Sequence, residues 1–268
     1  MSVPYLANIF IYPIKSLDRI SVPQATILES GALEHDREWA LVDQKGFFVN
    51  GKRNAKIYLL RASFDNDLGT ISLQMQGTEQ KVTFEIEKEK TVLESWLSDY
   101  FGFRVKFLQN TTTGFPDDTK AKGPTVISTA TIKAVASWFP ELSTEEIRLR
   151  LRANLEIGGV EAFWEDQLFA QVGDCIQFQV GEVLLEGIYP CKRCVVPTRD
   201  SLTGITYPNF QKIFSAKRQE TLPSWVNREY FNHFYRLSVN TKVSTSEAGK
   251  ILCQGDKIKI IGATSTQH

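Results

Sequence analysis

The sequence has little of what usually marks a reactive site. Its 268 residues hold four cysteines and three histidines. Four cysteines are too few for a disulfide scaffold, so reduced thiols in a cytoplasmic protein are expected. A structural zinc site needs four ligands. Cys191 and Cys194 supply at most two, Cys175 and Cys253 are isolated, and His35, His233 and His268 are scattered. Charge of one sign is also missing: 31 Lys and Arg balance 31 Asp and Glu. No global field then draws in nucleic acid or an anionic membrane, and any anion site must be a local cluster. No apolar run approaches the roughly 18–20 residues of a membrane span. The start, "MSVPYLANIF", lacks the basic segment and apolar core of a secretory signal. No glycine-rich phosphate loop, nucleophile elbow or HExxH occurs, and no cysteine spacing fits an iron–sulfur cluster.

What is present is a succession of short extended runs. "YLANIFIYPIK" is aromatic and β-branched and breaks at Pro13. "REWALVDQKGFFVN" reads as two strands around a turn ending at Gly46, and "KVTFEIE" alternates as a half-buried strand does. "FAQVGDCIQFQVGEVLLEGIYP" reads as extended segments with turns at Gly173-Asp174 and Gly181-Glu182, and "GDKIKIIG" is a closing strand. Three helices are expected. In "TVLESWLSDYFG", Leu93, Trp96, Leu97 and Tyr100 recur at helical spacing before Gly102. "STATIKAVASWFP" carries one apolar face and stops at Pro140, and Ser143 with Glu146 forms a capping box for a short third helix. The polar loop 110–124 is the best boundary. The expected fold is mainly β with a few helices (α+β): a barrel-like unit over 1–115 and a second β-barrel over 116–268.

Chemistry concentrates in "IYPCKRCVVPTRDSLTG", residues 188–204. The thioredoxin-type reading needs a helix after the first cysteine, whereas "VVP" follows the second. In an extended segment, residues three apart face opposite sides, so one sulfur faces a site while the other packs. A lone thiolate suits a soft or redox-active metal; two small core residues is the plainer alternative. In "IRLRLRANL", an extended chain would place Arg148, Arg150, Arg152 and Asn154 on one face, ready to fork onto phosphate or carboxylate. An exposed strand face, or the tail of the preceding helix, is the alternative. Lys15 and Ser16 in "YPIKSL" provide a cation and a hydroxyl after a broken strand. Arg37 and the "NGKR" segment, ending in Arg53, add cations near loop ends.

Together these pieces resemble the MOSC family, whose name refers to the C-terminal domain of molybdenum cofactor sulfurase. The likeness is to the two-domain branch that includes the mitochondrial amidoxime-reducing component and its bacterial relatives. "IYPIKSL" followed by "ESGALEHDREWALVDQKGFFVNGKR" is similar to the N-terminal β-barrel signature. "PCKRCVVPTRDSLTG" is similar to a pattern in which Arg-Cys leads to an Asp and then Thr-Gly, and "GKILCQGDKIKI" resembles the closing segment.

The resemblance implies a pterin-type molybdenum cofactor between the two units, with Cys194 as metal ligand and Asp200 matching the acid after it. It implies that Lys15, Ser16 and Arg37 contact the cofactor's phosphate and pterin, as do Arg152 and Asn154; Arg150 of the same run joins them as a candidate. Thr129 stands where relatives often carry an acid, and the hairpin cation is Arg53 or, with a register shift of one, Lys52. Pro197 and Arg199 stand where relatives often carry Thr and an apolar residue, which bears on substrate class. The implied activity is reduction of N-hydroxylated small molecules such as hydroxylamines or amidoximes. Electrons would come from a separate ferredoxin or flavoprotein reductase. The alternative is a cofactor carrier or sulfur-transfer module without turnover. Pyridoxal phosphate is not expected.

Overall fold

The computed structural model describes residues 3–265. His268 and the first two residues of "MSVPYLANIF" lie outside the described residues. The chain opens with β1 (Tyr5–Ile11), β2 (Ile20–Val22), β3 (Gln24–Thr26) and β4 (Trp39–Asp43). β5 (Leu60–Phe64), β6 (Thr70–Met75), β7 (Lys81–Glu85), α1 (Lys90–Phe101) and β8 (Val105–Gln109) follow. After the polar loop come β9 (Val126–Ser128), α2 (Thr129–Ala136), α3 (Thr144–Leu151), β10 (Leu155–Gly158), β11 (Asp174–Val180) and β12 (Val183–Lys192). α4 (Phe210–Thr221), β13 (Arg236–Val243), β14 (Ile251–Cys253) and β15 (Ile258–Ser265) complete the fold. The expected mainly-β fold with a few helices is what forms. Among the described residues no helix is long and apolar enough to cross a membrane.

One eight-stranded sheet runs β15-β11-β12-β13-β9-β10-β1-β2; β3 pairs with β14, β4 with β8, and β5-β6-β7 form a three-stranded meander. The ladders do not close into a barrel among the described residues. A single bridge, Tyr5 to Lys257, brings β1 against the chain just before β15. β1 and β3 pair with strands from the second half, so the hydrogen-bonded sheets run across position 115. The division into 1–115 and 116–268 stands as a proposal about folding units.

Local chemistry explains the elements. Gly181, at φ +57°, turns β11 into β12. α1 buries Leu93, Leu97 and Phe101 and ends where Gly102 takes φ +81°. Ser128 caps α2 by accepting from the Thr131 amide, and Ser143 caps α3 by accepting from the Glu146 amide. The extended reading of "IRLRLRANL" is corrected here. The capping box wins, and Ile147 and Leu151, four apart, both face the core. Arg148 leaves with its charge tied to Glu145 and Glu156.

A buried polar layer lies beneath α2. Thr131 Oγ donates to Glu165 Oε2 at 2.9 Å, and Asp166 pairs with the fully buried Arg218. Burial, with Asp166 alongside, raises the Glu165 carboxyl from its ordinary 4.5 to about 7. The folded protein therefore keeps a proton that the unfolded chain releases lower on the scale. This group's contribution to stability is present below about pH 4.5 and is lost as pH rises through about 7. Glu165→Gln is expected to flatten that dependence. Urea denaturation should find the variant more stable than wild type at pH 8, by up to about 3 kcal/mol, and nearly equal at pH 4.5.

Candidate functional site

A cleft of about 360 Å³ opens between the N-terminal strands, the end of α3 and the loop after β12. Its first wall is the chain that leaves β1. Lys15 is 6% exposed, and its Nζ donates to Phe115 O at 2.8 Å and to Asp117 at 2.7 Å. Burial lowers its pKa, and Asp117 offsets part of that shift. The polar loop expected as a boundary is thus packed against the site. At Gly114, φ +58°, a Cβ would collide with the Asp36 carbonyl, and the next amide, Phe115 N, donates to Arg37 O at 2.8 Å.

Ser16, Arg37 and Arg152 all line this cleft, and all hold left-handed φ values of +75°, +53° and +53°. Such strain in non-glycine residues persists only where the surroundings over-determine it. The Arg37 amide donates to Tyr12 O at 2.7 Å, and its guanidinium pairs with Asp36. The guanidiniums of Arg152 and Arg37 flank the buried Tyr12 ring at 4.0 and 5.1 Å. Burial raises the Tyr12 phenol, although Arg152, Arg19 and Arg37 pull the other way.

The end of α3 supplies the second wall. Arg150 is 3% exposed, bonds Glu146 Oε1 at 2.6 Å and Pro197 O at 3.4 Å, and lies at ion-pair distance, 3.6 Å, from Asp200. It lines the cleft, but its charge is already matched, and its bonds hold the segment after Cys194. Asn154 is buried with its amide donating to Phe10 O at 3.0 Å and its carbonyl accepting from Thr125, which fixes β1 against β9.

The third wall carries the thiols. β12 ends at Lys192, after a register shift between Pro190 and Lys192, and Cys194 sits in the loop before a 3-10 turn at Val196–Thr198. The Val196 amide donates to Cys194 Sγ at 3.5 Å. Because the strand ends between them, Cys191 and Cys194 both line the cleft. The expectation that Cys191 packs elsewhere does not hold; Arg193 Nη1 lies 3.5 Å from its sulfur.

Three candidates from the sequence do not line the cleft. Arg53 is exposed and stacks on Phe47 at 4.4 Å, while Lys52 is the hairpin cation on the cleft. Thr129 opens α2, whose buried face packs into a separate core cluster. Asp200 turns its carboxylate into its own loop, accepting from the Leu202 and Thr203 amides and the Thr203 hydroxyl. It shapes the loop rather than the wall.

Tyr58 and Arg61 also line the cleft, and no sequence motif marks either. A Cβ on Gly204 would meet the Tyr58 ring at 2.8 Å, and Arg61 Nη2 donates to Ser201 O at 3.3 Å. Loop 200–204 is therefore docked on the N-terminal half. No motif records this, since it depends on two remote segments meeting. Burial raises the Tyr58 phenol to about 12, so its hydroxyl stays protonated.

Several cations on the cleft have no carboxylate to match them among the described residues. Among the described residues, Lys52, Lys122, Arg152, Lys192, Arg199 and Arg236 line it without a carboxylate at ion-pair distance. The Nε atoms of Arg61, Arg193, Arg199 and Arg236 are buried without a partner. Cations without a carboxylate partner along one cavity favour an anion there. Among the described residues no three His, Cys, Asp or Glu gather around one point. Cys194 therefore suits a metal that brings most of its ligands with it. An anionic pterin cofactor carrying its own metal fits this donor set.

Comparison with known proteins agrees. The chain is 22% identical over 260 positions to the molybdenum cofactor sulfurase of Homo sapiens, covering 79% of this chain and 28% of that protein. The Bos taurus molybdenum cofactor sulfurase is 23% identical over 264 positions, 80% of this chain and 29% of that protein. That of Botryotinia fuckeliana is 36% identical over 77 residues, 28% of this chain and 10% of that protein. The chain thus spans less than a third of the length of these relatives. Residues 3–142 match the MOSC N-terminal beta barrel domain, which covers more than half of the chain, and the protein belongs to that MOSC family.

Proposed function

We propose that this protein binds a molybdenum cofactor in the cleft and uses it to reduce N-hydroxylated small molecules such as hydroxylamines and amidoximes. The observation that carries the reading is the meeting of unneutralised cations with the Cys194 thiol on one cleft, in a protein of zero net charge. Arg152 and Ser16 would hold the anionic end, with Lys15 and Arg37 beside them already paired to Asp117 and Asp36, and Cys194 would be the protein's ligand to the metal. Bound there, the cofactor supplies the two-electron chemistry by which an N-hydroxyl group and two protons become an N–H group and water.

The chain's own part is binding and orientation. Arg150 and Asp200 hold the loop that presents Cys194. The Tyr58 hydroxyl keeps its proton up to about pH 12 and donates to Gly51 O at 3.2 Å, leaving its lone pairs to accept from a ligand. The electrons come from a separate ferredoxin or flavoprotein reductase.

A second reading, a cofactor carrier or sulfur-transfer module, is favoured by one observation: Cys191 places a second thiol on the same cleft. The assay that decides uses protein purified from a host that makes the cofactor, a hydroxylamine-type substrate and an artificial reductant. Sustained turnover, on the order of 1–100 per second, is expected. Molybdenum-loaded protein that turns over no such substrate would favour the carrier.

A further inference from the structure

Arg199 shares the cleft with Arg150 and Arg61 but not their ion pairing. Arg150 is neutralised by Glu146 and Arg61 by Asp18, at 2.6 and 3.1 Å. Arg199 has no carboxylate at ion-pair distance among the described residues. Its Nη1 donates to Gly204 O at 3.1 Å, and its buried Nε has no partner. The neighbouring carboxylate, Asp200, is taken by its own turn and by Arg150. The backbone is fixed, because Arg199 N donates to Val196 O at 3.0 Å and Arg199 bridges to Thr206.

The position of this guanidinium is set by its neighbours. Arg199 is the foremost cation acting on the Tyr58 hydroxyl, and both residues line the cleft with Cys194. The loop carrying Arg199 is clamped on both sides: Ser201 bonds Glu146 through its amide at 2.9 Å and its hydroxyl at 2.6 Å, and Gly204 packs on Tyr58. A guanidinium without a carboxylate partner, on a held loop, lining the same cleft as the Cys194 thiol, can fork onto an oxyanion.

We propose that Arg199 forms an oxyanion subsite beside Cys194, so that the cleft selects ligands bearing a carboxylate, or an anion of similar shape, next to the group that reaches the thiol. As a rule for substrates this rests on the reductase reading above; as a binding site it stands without it.

The test uses the full chain made without cofactor. Iodoacetate and iodoacetamide alkylate the same Cys194 thiolate, each forming a carbon–sulfur bond and releasing iodide. Their rate ratio therefore cancels changes in thiol reactivity and reads the pull on the carboxylate. Peptide mass spectrometry separates Cys194 from the other cysteines. The ratio at Cys194 is expected to fall about five-fold in Arg199→Gln and to stay within about two-fold of wild type in Arg199→Lys. Arg199→Met, which keeps the packing of the stem, replaces the glutamine variant should that not fold. An unchanged ratio in a folded Arg199→Gln or Arg199→Met protein overturns the subsite. With loaded protein, the same variant should raise KM about ten-fold for a carboxylated N-hydroxy substrate and leave a neutral analogue within about two-fold. Turnover of neither substrate would overturn the reductase reading, and the alkylation ratio would still judge the subsite.

Discussion

Arg218→Met is expected to make the protein about 3–5 kcal/mol easier to unfold. Arg218 is completely buried, with Nη2 bonded to both Asp166 oxygens at 2.6 and 2.7 Å and Nε to Arg236 O at 3.3 Å. Its guanidinium lies 4.8 Å from the Phe163 ring and 5.3 Å from the Phe231 ring. It joins α4 to the layer under α2. Methionine preserves most of the stem's packing but leaves Asp166, 4% exposed, without its partner. An uncompensated buried carboxylate is what makes such a change costly, more than the worth of the pair itself. Replacing both residues, Asp166→Leu with Arg218→Met, should recover most of the loss. Thermal melts give the check, with a fall in Tm of about 10 °C for the single variant and a few degrees for the double.

Cys194→Ser is expected to lower reductase turnover at least about 100-fold while leaving the fold intact. The bound comes from chemistry. Loss of groups that only orient a metal's ligands already costs 10–100-fold, and here the ligand itself is lost. A hydroxyl is a harder, far less acidic donor than a thiol and is a poor substitute toward a soft metal. The structure sets the other half of the expectation. Cys194 is half-buried in a loop and accepts one weak bond, from Val196 N at 3.5 Å, so serine fits without strain. A Tm within about 2 °C of wild type alongside the lost turnover would assign the effect to the site. Cys191→Ser should retain turnover within about ten-fold, since its sulfur is not the assigned ligand.

Much of this site was legible before folding was considered. Lys15, Ser16, Arg37, Arg152, Asn154 and Cys194, drawn from remote parts of the chain, meet on one cleft. Residue type carried that information: a cation beside a hydroxyl after a broken strand, and a single thiolate beside an arginine. The fold's helices were legible where capping and period agreed, as at Ser143 and at Leu93 with Leu97. The reading failed where one pattern satisfies two periods. Arg and Leu alternate through 147–152, yet Ile147 and Leu151 also repeat every four residues, and the cap decides for a helix. It failed again at Cys191, because the strand end at Lys192 comes from a pairing irregularity with β13 that sequence does not display. Tyr58 and Arg61 were invisible for another reason. Their role exists only because loop 200–204 lands on them.

The central claim is that Cys194 holds the metal of a molybdenum cofactor in this cleft. Metal analysis of protein purified from a cofactor-competent host tests it most directly. The account predicts close to one molybdenum per chain in the wild type and a loss of at least about 90% in Cys194→Ser. No molybdenum in the wild type, or equal occupancy in Cys194→Ser, would contradict it.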